Sequence, residues 1–257
     1  LYAVGGAVRD FLLDRPPKDV DLVCSEAVLC ANQLAASQPI PTTVVLLDKK
    51  HQTPCFRVVR KDNPRHFIDV VEMYGQSIEE DLSRRDFTIN AMAVAVLPGG
   101  QIGEWVDPFG GRTDLASRLI RVCSPDSFTD DPLRILRAVR LAAELDFSLE
   151  TSVPAQMRNA SSHLKQTASE RICTELMLLW ACPRSAVYLD LLDDVGALTV
   201  VFPEIADMKG CTQNDYHHLD VWGHTLAVVS YCDTILQNLE RYFGNACLPI
   251  IARLEKP

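Results

Sequence analysis

A chain of 257 residues that is 47% hydrophobic and 23% charged can bury a sizeable core and is long enough for more than one domain. No run approaches the about 18 consecutive apolar residues of a membrane helix, and the first residues lack the basic, apolar and small-residue regions of a secretory leader. The net charge of −9 runs against broad contact with a phosphate backbone. These features together point to an intracellular globular protein without a membrane partner, cytoplasmic or in an organellar matrix. Nine scattered cysteines that form no C-x-x-C pair point away from a disulfide framework and from a zinc site, and read as reduced, mostly buried small hydrophobes. The start at Leu1 and the stop at Lys256-Pro257 leave open that one or both ends are missing.

The first part of the chain, 1–125, carries short β-rich runs (Thr43 to Leu47, Cys55 to Val59, Phe67 to Val71, Leu119 to Cys123) between Gly/Pro punctuation and helical stretches. It reads as an α/β unit with a mixed sheet. Within it, Val4-Gly5-Gly6-Ala7-Val8-Arg9-Asp10 runs from a short strand into a helix. Two glycines at that junction either leave backbone N–H groups facing an anion at the helix N-terminus or make only a tight turn. Next, Lys18-Asp19-Val20-Asp21 places two carboxylates two residues apart. In a strand they share a face, where like charges are costly unless a cation sits between them, and hard oxygen donors suit Mg²⁺. In Phe67-Ile68-Asp69-Val70-Val71-Glu72 an aspartate interrupts an apolar strand. Asp69 therefore faces either a cation, as a third carboxylate of the same site, or an arginine.

After Asp69 the chain passes through Met73 to Ser83 into Arg84-Arg85-Asp86-Phe87-Thr88-Ile89-Asn90-Ala91-Met92-Ala93, then Asp107-Pro108-Phe109-Gly110-Gly111. Arginines cluster at 84 and 85, at 112, 118 and 121, and at 134, 137 and 140, a local basic path on an acidic protein. From about Asp131 the pattern changes to long stretches with apolar residues at helical spacing, such as Leu133, Leu136, Ile172, Leu176 and Leu179, and the rest reads as all helical. Two further short motifs fall there, Asp130-Asp131-Pro132-Leu133-Arg134 and Glu170-Arg171-Ile172.

Taken in order from residue 4 to 175, these motifs resemble those of the class II tRNA nucleotidyltransferase and bacterial poly(A) polymerase family, of CCA-adding type. The resemblance implies an α/β nucleotidyltransferase head (1–125), a helical neck with a nucleotide-selecting motif (126–180), and a helical, RNA-binding body (181–257). It implies Mg²⁺ held by Asp19 and Asp21 in a two-metal reaction, with CTP and ATP as substrates and the tRNA 3′ end as partner. Gly5, Gly6, Arg9 and Lys18 would cradle phosphates. Arg85, Asp86 and Asn90 would contact the incoming ribose and phosphates, unless Arg84-Arg85 is a solvated surface pair. The family's E-D-x-x-R appears here with Asp130 in first place. Its Asp131 and Arg134 would offer an acceptor and a donor to the base edge, admitting cytosine and adenine, or would form an ordinary i, i+3 salt bridge. Arg137, on the same helix, would meet phosphate or pair with nearby acids.

Relatives of this type carry a longer flexible loop where this chain has only Met73 to Ser83. A missing loop is associated in the family with enzymes that add two cytidines and leave the adenosine to a separate A-adding enzyme. A complete CCA-adding enzyme, a poly(A) polymerase and an inactive RNA-binding relative are the alternatives. The segment Asp215-Tyr216-His217-His218-Leu219-Asp220-Val221-Trp222-Gly223-His224 resembles the opening of an HD-type phosphohydrolase domain. The later His-Asp pair is missing from Ile251 to Pro257, so the histidines read as structural.

Overall fold

The computed structural model describes residues 1–48, 53–212 and 218–254. Residue contacts divide the chain into two units, Leu1–Ser127 and the residues from Phe128 onward. Among the described residues no helix is long and apolar enough to cross a membrane.

The first unit runs β1 (Tyr2–Val4), α1 (Gly6–Leu12), β2 (Val20–Cys24), α2 (Ala27–Ser37), β3 (Thr42–Asp48), β4 (Cys55–Arg60), β5 (Phe67–Glu72), α3 (Ile78–Ser83), β6 (Ala93–Val96), β7 (Ile102–Val106) and α4 (Gly111–Ala116). These seven strands form one mixed sheet in the order β3-β4-β5-β2-β1-β6-β7, to which the short strand Leu119–Ile120 does not belong. The pair β2 and β5 is parallel and the other neighbours are antiparallel. A parallel pair needs a crossover, and here α2 and the β3–β4 hairpin supply it before β5 returns beside β2.

Strand alternation sorts side chains onto two faces. Leu22, Cys24, Val58 and Val70 pack with Ala27 and Ala31 of α2 on one face. Val4, Val23 and Ala93 pack with Ile78 and Leu82 of α3 on the other. Odd-numbered Asp21, Asp69 and Arg57 share that second face. Burial also acts on Cys24: beside Cys30 its thiol is pushed up to about 12, so it stays protonated as a core hydrophobe.

Carboxylates fix the starts of the helices around the sheet. Glu72, at the end of β5, accepts from the N–H groups of Glu26 (2.9 Å) and Ala27 (2.7 Å), closing the first turn of α2. Ser77 accepts from the Glu80 N–H at 3.3 Å, and Glu80 accepts from the Gln76 N–H at 2.8 Å, a capping arrangement that starts α3. Asp107 does the same for α4, accepting from the N–H groups of Gly111 (2.6 Å) and Arg112 (3.0 Å).

Among its described residues, the second unit is helical apart from the two-residue strand Ser148–Leu149 and its connecting turns. Its central helix, Arg134–Leu145, buries Ile135, Leu136, Ala138, Val139, Leu141 and Ala142, and packs against the helices Ser169–Trp180 and Ser185–Asp194. Arg140, also buried, donates to Glu175 and to Glu144, each at 2.6 Å. Such a pair holds only because both partners are present.

Gly111 packs so tightly on the Thr88 segment that an added Cβ would run into the Thr88 carbonyl and sit 2.8 Å from Met92 Cγ. Gly111→Ala is therefore expected to cost about 1–3 kcal/mol through overpacking. Urea unfolding of the variant beside the unmodified chain measures this, and an unchanged midpoint would show that α4 yields freely.

Candidate active site

The strand register puts Asp21 of β2 directly between Val4 of β1 and Asp69 of β5. Asp19 lies just ahead of β2 and is exposed, as is Lys18. Gly5, between β1 and α1, has φ +72°, a conformation in which a side chain is strained. A Cβ at Gly5 would sit 3.0 Å from Arg85 Nη1 and 3.6 Å from Asp21 Oδ2. The glycine turn, the second aspartate and the second arginine therefore converge, although 80 positions separate Gly5 from Arg85.

Arg85 is held from behind, its Nη2 donating to Asp81 at 3.1 Å. Its Nε is buried without a hydrogen-bond partner among the described residues, and Nη1 is the atom that lies against the glycine turn. A polar depression of about 200 Å³ adjoins it, lined by Thr53, Tyr74, Asp81, Arg84 and Arg85. Arg84 is no bare solvated charge, because its guanidinium lies 3.8 Å over the Tyr74 ring.

Arg9 and Asn90, expected among the phosphate and ribose contacts, are buried, with 8% and 4% of their surface exposed. Arg9 donates through Nε to Asp10 at 2.8 Å and through Nη1 to Asn90 at 2.8 Å. Asn90 in turn donates to Asp86 at 3.0 Å, and Asp86 also accepts from the Phe87 N–H at 2.8 Å. In this structure these residues bind the Gly-Gly helix to the Arg-Arg-Asp segment. Gly6 lies against the same guanidinium, 3.5 Å from Arg9 Nη2 to an added Cβ.

Asp69 has the arginine partner that the sequence left open. Arg57 of β4 donates to both its oxygens, Nε at 2.8 Å and Nη2 at 2.7 Å. Its hydrogen bonds to the Asp69 carboxylate, and more weakly the nearby charge of Asp19, raise the Arg57 pKa above its ordinary value. Among the described residues no three His, Cys, Asp or Glu side chains group as a ligand set for a metal. Asp19 and Asp21 still fit Mg²⁺, which is usually held by one or two carboxylates while the substrate's phosphates and water complete the shell.

In the second unit, Asp131 and Arg134 occupy one turn, the Arg134 N–H donating to the Asp131 carbonyl at 3.0 Å. The Asp131 carboxylate accepts from the Leu133 N–H at 3.2 Å and from Arg171 Nη2 at 2.8 Å. Its observed ion pair thus joins two of the motifs, and Arg134, partly buried, opens the helix beside it. Arg137 is exposed and lies 3.9 Å from Glu175. Of the histidine cluster, residues 213–217, with Asp215 and His217, lie outside the described residues, as do 255–257. Asp220 caps the helix Val221–Gln237, accepting from the N–H groups of Gly223 and Gly210 at 2.7 Å each. Those bonds hold its carboxyl below the usual range.

Arg57, Tyr74 and Asp81 were not among the residues expected at the site. Only Asp81 left a readable signal, four residues before Arg85 at the spacing of a helical ion pair. Arg57 and Asp69 are cross-strand partners, and no local pattern announces that register.

Residues 1–121 match the family described as "Poly A polymerase head domain", and 146–209 match "Probable RNA and SrmB- binding site of polymerase A". Among curated relatives, the "Multifunctional CCA protein" of Actinobacillus pleuropneumoniae is 36% identical over 93% of this chain and 60% of its own length. That of Pseudomonas paraeruginosa is 35% identical, over 90% and 58%. The chain thus spans about 60% of the length of the curated relatives it matches. Among solved structures, a tRNA nucleotidyltransferase complexed with a primer tRNA and an incoming ATP analog aligns with TM-score 0.71 at 30% identity, over 93% of this chain and 67% of that one. A CCA-adding enzyme with ATP aligns with TM-score 0.72 at 28% identity, over 95% and 55%.

The buried Arg9–Asp10 pair allows a direct check of its structural part. Arg9→Met leaves Asp10 buried without its cation and is expected to cost about 3–5 kcal/mol. Adding Asp10→Asn should recover most of that loss in a urea double-mutant cycle. Equal destabilisation in the single and double variants would show that the pair is not what holds α1.

Proposed function

Because the chain belongs to the class II tRNA nucleotidyltransferase and bacterial poly(A) polymerase family, we propose that it transfers nucleotides, from CTP first, to the 3′ end of tRNA without a nucleic-acid template. The observation that carries this reading is the convergence of Gly5, Asp21 and Arg85. One carboxylate, one guanidinium and the start of α1 meet there, groups that suit a triphosphate and its counter-cation.

The chain's own residues then divide the work. The Gly5-Gly6 turn admits a phosphate close to the backbone, and Arg85, braced by Asp81, presents its donors to the same anion. Arg9, Asn90 and Asp86 position these groups from beneath, and Lys18 adds a positive charge at the rim. Asp19 and Asp21 would hold two divalent ions, Mg²⁺ in this reading, which when bound activate the primer 3′-hydroxyl and neutralise the leaving pyrophosphate. Asp131 and Arg134 would select the base, acceptor and donor meeting the Watson–Crick edge of cytosine or adenine. The acidic charge of the chain and its lack of a long basic tract favour the compact tRNA end over a long RNA.

We propose further that the product is two cytidines, with the adenosine left to a separate A-adding enzyme. Support comes from the segment Met73 to Ser83, which is short and is built into a capped helix rather than a long loop. The names of the curated relatives favour the complete CCA-adding activity instead, so product length decides between the two.

The deciding assay supplies tRNA lacking its last three nucleotides with CTP, with ATP and with both, and reads product length on a sequencing gel. Two added cytidines and no adenosine are expected. Efficient ATP incorporation onto tRNA ending in two cytidines would assign the complete CCA-adding activity, and long adenosine tracts would assign poly(A) synthesis. Asp19→Ala and Asp21→Ala should each lower incorporation of every nucleotide by about a thousandfold or more, since both would serve the step common to all additions. Asp131→Ala and Arg134→Ala should instead let UTP and GTP compete. Equal loss for all four nucleotides with selectivity kept would make that pair structural.

A further inference from the structure

One row of the sheet passes through Val4, Asp21, Asp69, Arg57 and Val45 on five adjacent strands, β1, β2, β5, β4 and β3. The charges along it read neutral, negative, negative, positive, neutral. Arg57 is clamped from two sides, by the two-pronged pair with Asp69 and by the Phe67 ring, which its guanidinium overlies at 3.7 Å. The Asp69 side chain is 13% exposed, with both oxygens taken up by Arg57.

On the reading that Asp19 and Asp21 hold the divalent ions, we infer that Arg57 is a positioning residue for that site, a fixed cation that Asp69 locks in place, and that Asp69 serves as its counter-ion rather than as a third metal ligand. The pair has two consequences. Asp69 is withheld from the ions, which leaves a site of two carboxylates that must complete its shell with substrate phosphates. The guanidinium also offsets negative charge beside Asp21, so the empty enzyme holds divalent ions weakly and gains them together with the triphosphate. Three uncompensated carboxylates on one face would instead draw a cation in without substrate.

Charge balance makes the inference separable from a ligand role for Asp69. Mn²⁺ binding to the full 257-residue chain, without nucleotide, is followed by the loss of the free-ion EPR signal. Arg57→Gln frees Asp69 and is expected to tighten Mn²⁺ binding about tenfold, the scale on which groups around a metal's ligands act. Asp69→Asn strands the guanidinium and should weaken it by a similar factor. The double variant restores the native charge and should bind close to the unmodified chain, and so should Arg57→Lys, which keeps the cation. Asp21→Asn is the control. If it leaves Mn²⁺ binding unchanged, the metal site itself has been misassigned. With that control losing affinity, a double variant as weak as Asp69→Asn makes Asp69 a ligand and overturns the inference, as does Arg57→Gln binding no tighter than the unmodified chain. Melting curves of all five variants confirm that each comparison is made between folded proteins.

Discussion

Neighbouring strands lie about 4.8 Å apart, so the parallel pairing of β2 with β5 sets Asp21 and Asp69 side by side on one face of the sheet. Two carboxylates at that spacing repel, and the partly buried face offers little water to screen them. The surrounding structure supplies opposite charge from both sides, Arg57 from β4 and Arg85 from the segment after α3. Neither arginine could be replaced by a hydrophobic residue without leaving an acid unmatched. The face is therefore committed to carrying charge, and that commitment distinguishes it from the opposite face, where α2 covers Leu22, Val58 and Val70 with small apolar residues.

A second set of buried charges joins the pieces. Arg9 on α1, Asn90 and Asp86 form a line of hydrogen bonds between segments that are 81 positions apart in the chain. Buried donors of this kind are costly when unmatched, so they fix a distance as well as a contact. Residues expected to touch a ligand thus contribute by holding the Gly5 turn against Arg85, and the two roles are compatible. A site that pairs a glycine turn with a guanidinium needs the two held in fixed relation, about 0.5 Å being the tolerance of a working constellation.

Local pattern carried much of the fold. The runs at Thr43, Cys55 and Phe67 are β3, β4 and β5, and the change of period near Asp131 marks the helical second unit. Strands β6 and β7 escaped because Ala93–Val96 is short and follows a motif read for its chemistry, while Ile102–Val106 contains a glycine. At the site, Gly5 and Asp21 were legible from a Gly-Gly turn before a helix and a carboxylate pair two residues apart, whereas Arg85 was singled out only by the resemblance of its motif to the family's. The partners Arg57 and Asp81 depend on register and on helix phase, so a single sequence shows neither as special. Asp69 marks the boundary between the two kinds of information: the sequence showed that an acid in an apolar strand must be answered, and only the register showed that Arg57 answers it.

The segment from Met73 to Ser83 illustrates how a short connection restricts what a site can do. Tyr74 donates its N–H to Asp81 at 3.1 Å, Asp81 holds Arg85, and Gly75 at φ +73° lets the chain turn over Glu80. Ile78 and Leu82 of α3, 5% and 0% exposed, are at the same time part of the core beneath Asp21's face. Displacing α3 as a lever would expose both, at about 1.5–3 kcal/mol each. The total is comparable to the roughly 5.5 kcal/mol that separates a population of 1:99 from one of 99:1. A nucleotide would have to supply that difference through unequal affinity for the two states, and a single base edge offers only a few hydrogen bonds with which to do it. An element packed into the core in this way is thus a poor moving part, and a hinge placed on it would act against the same burial that holds it.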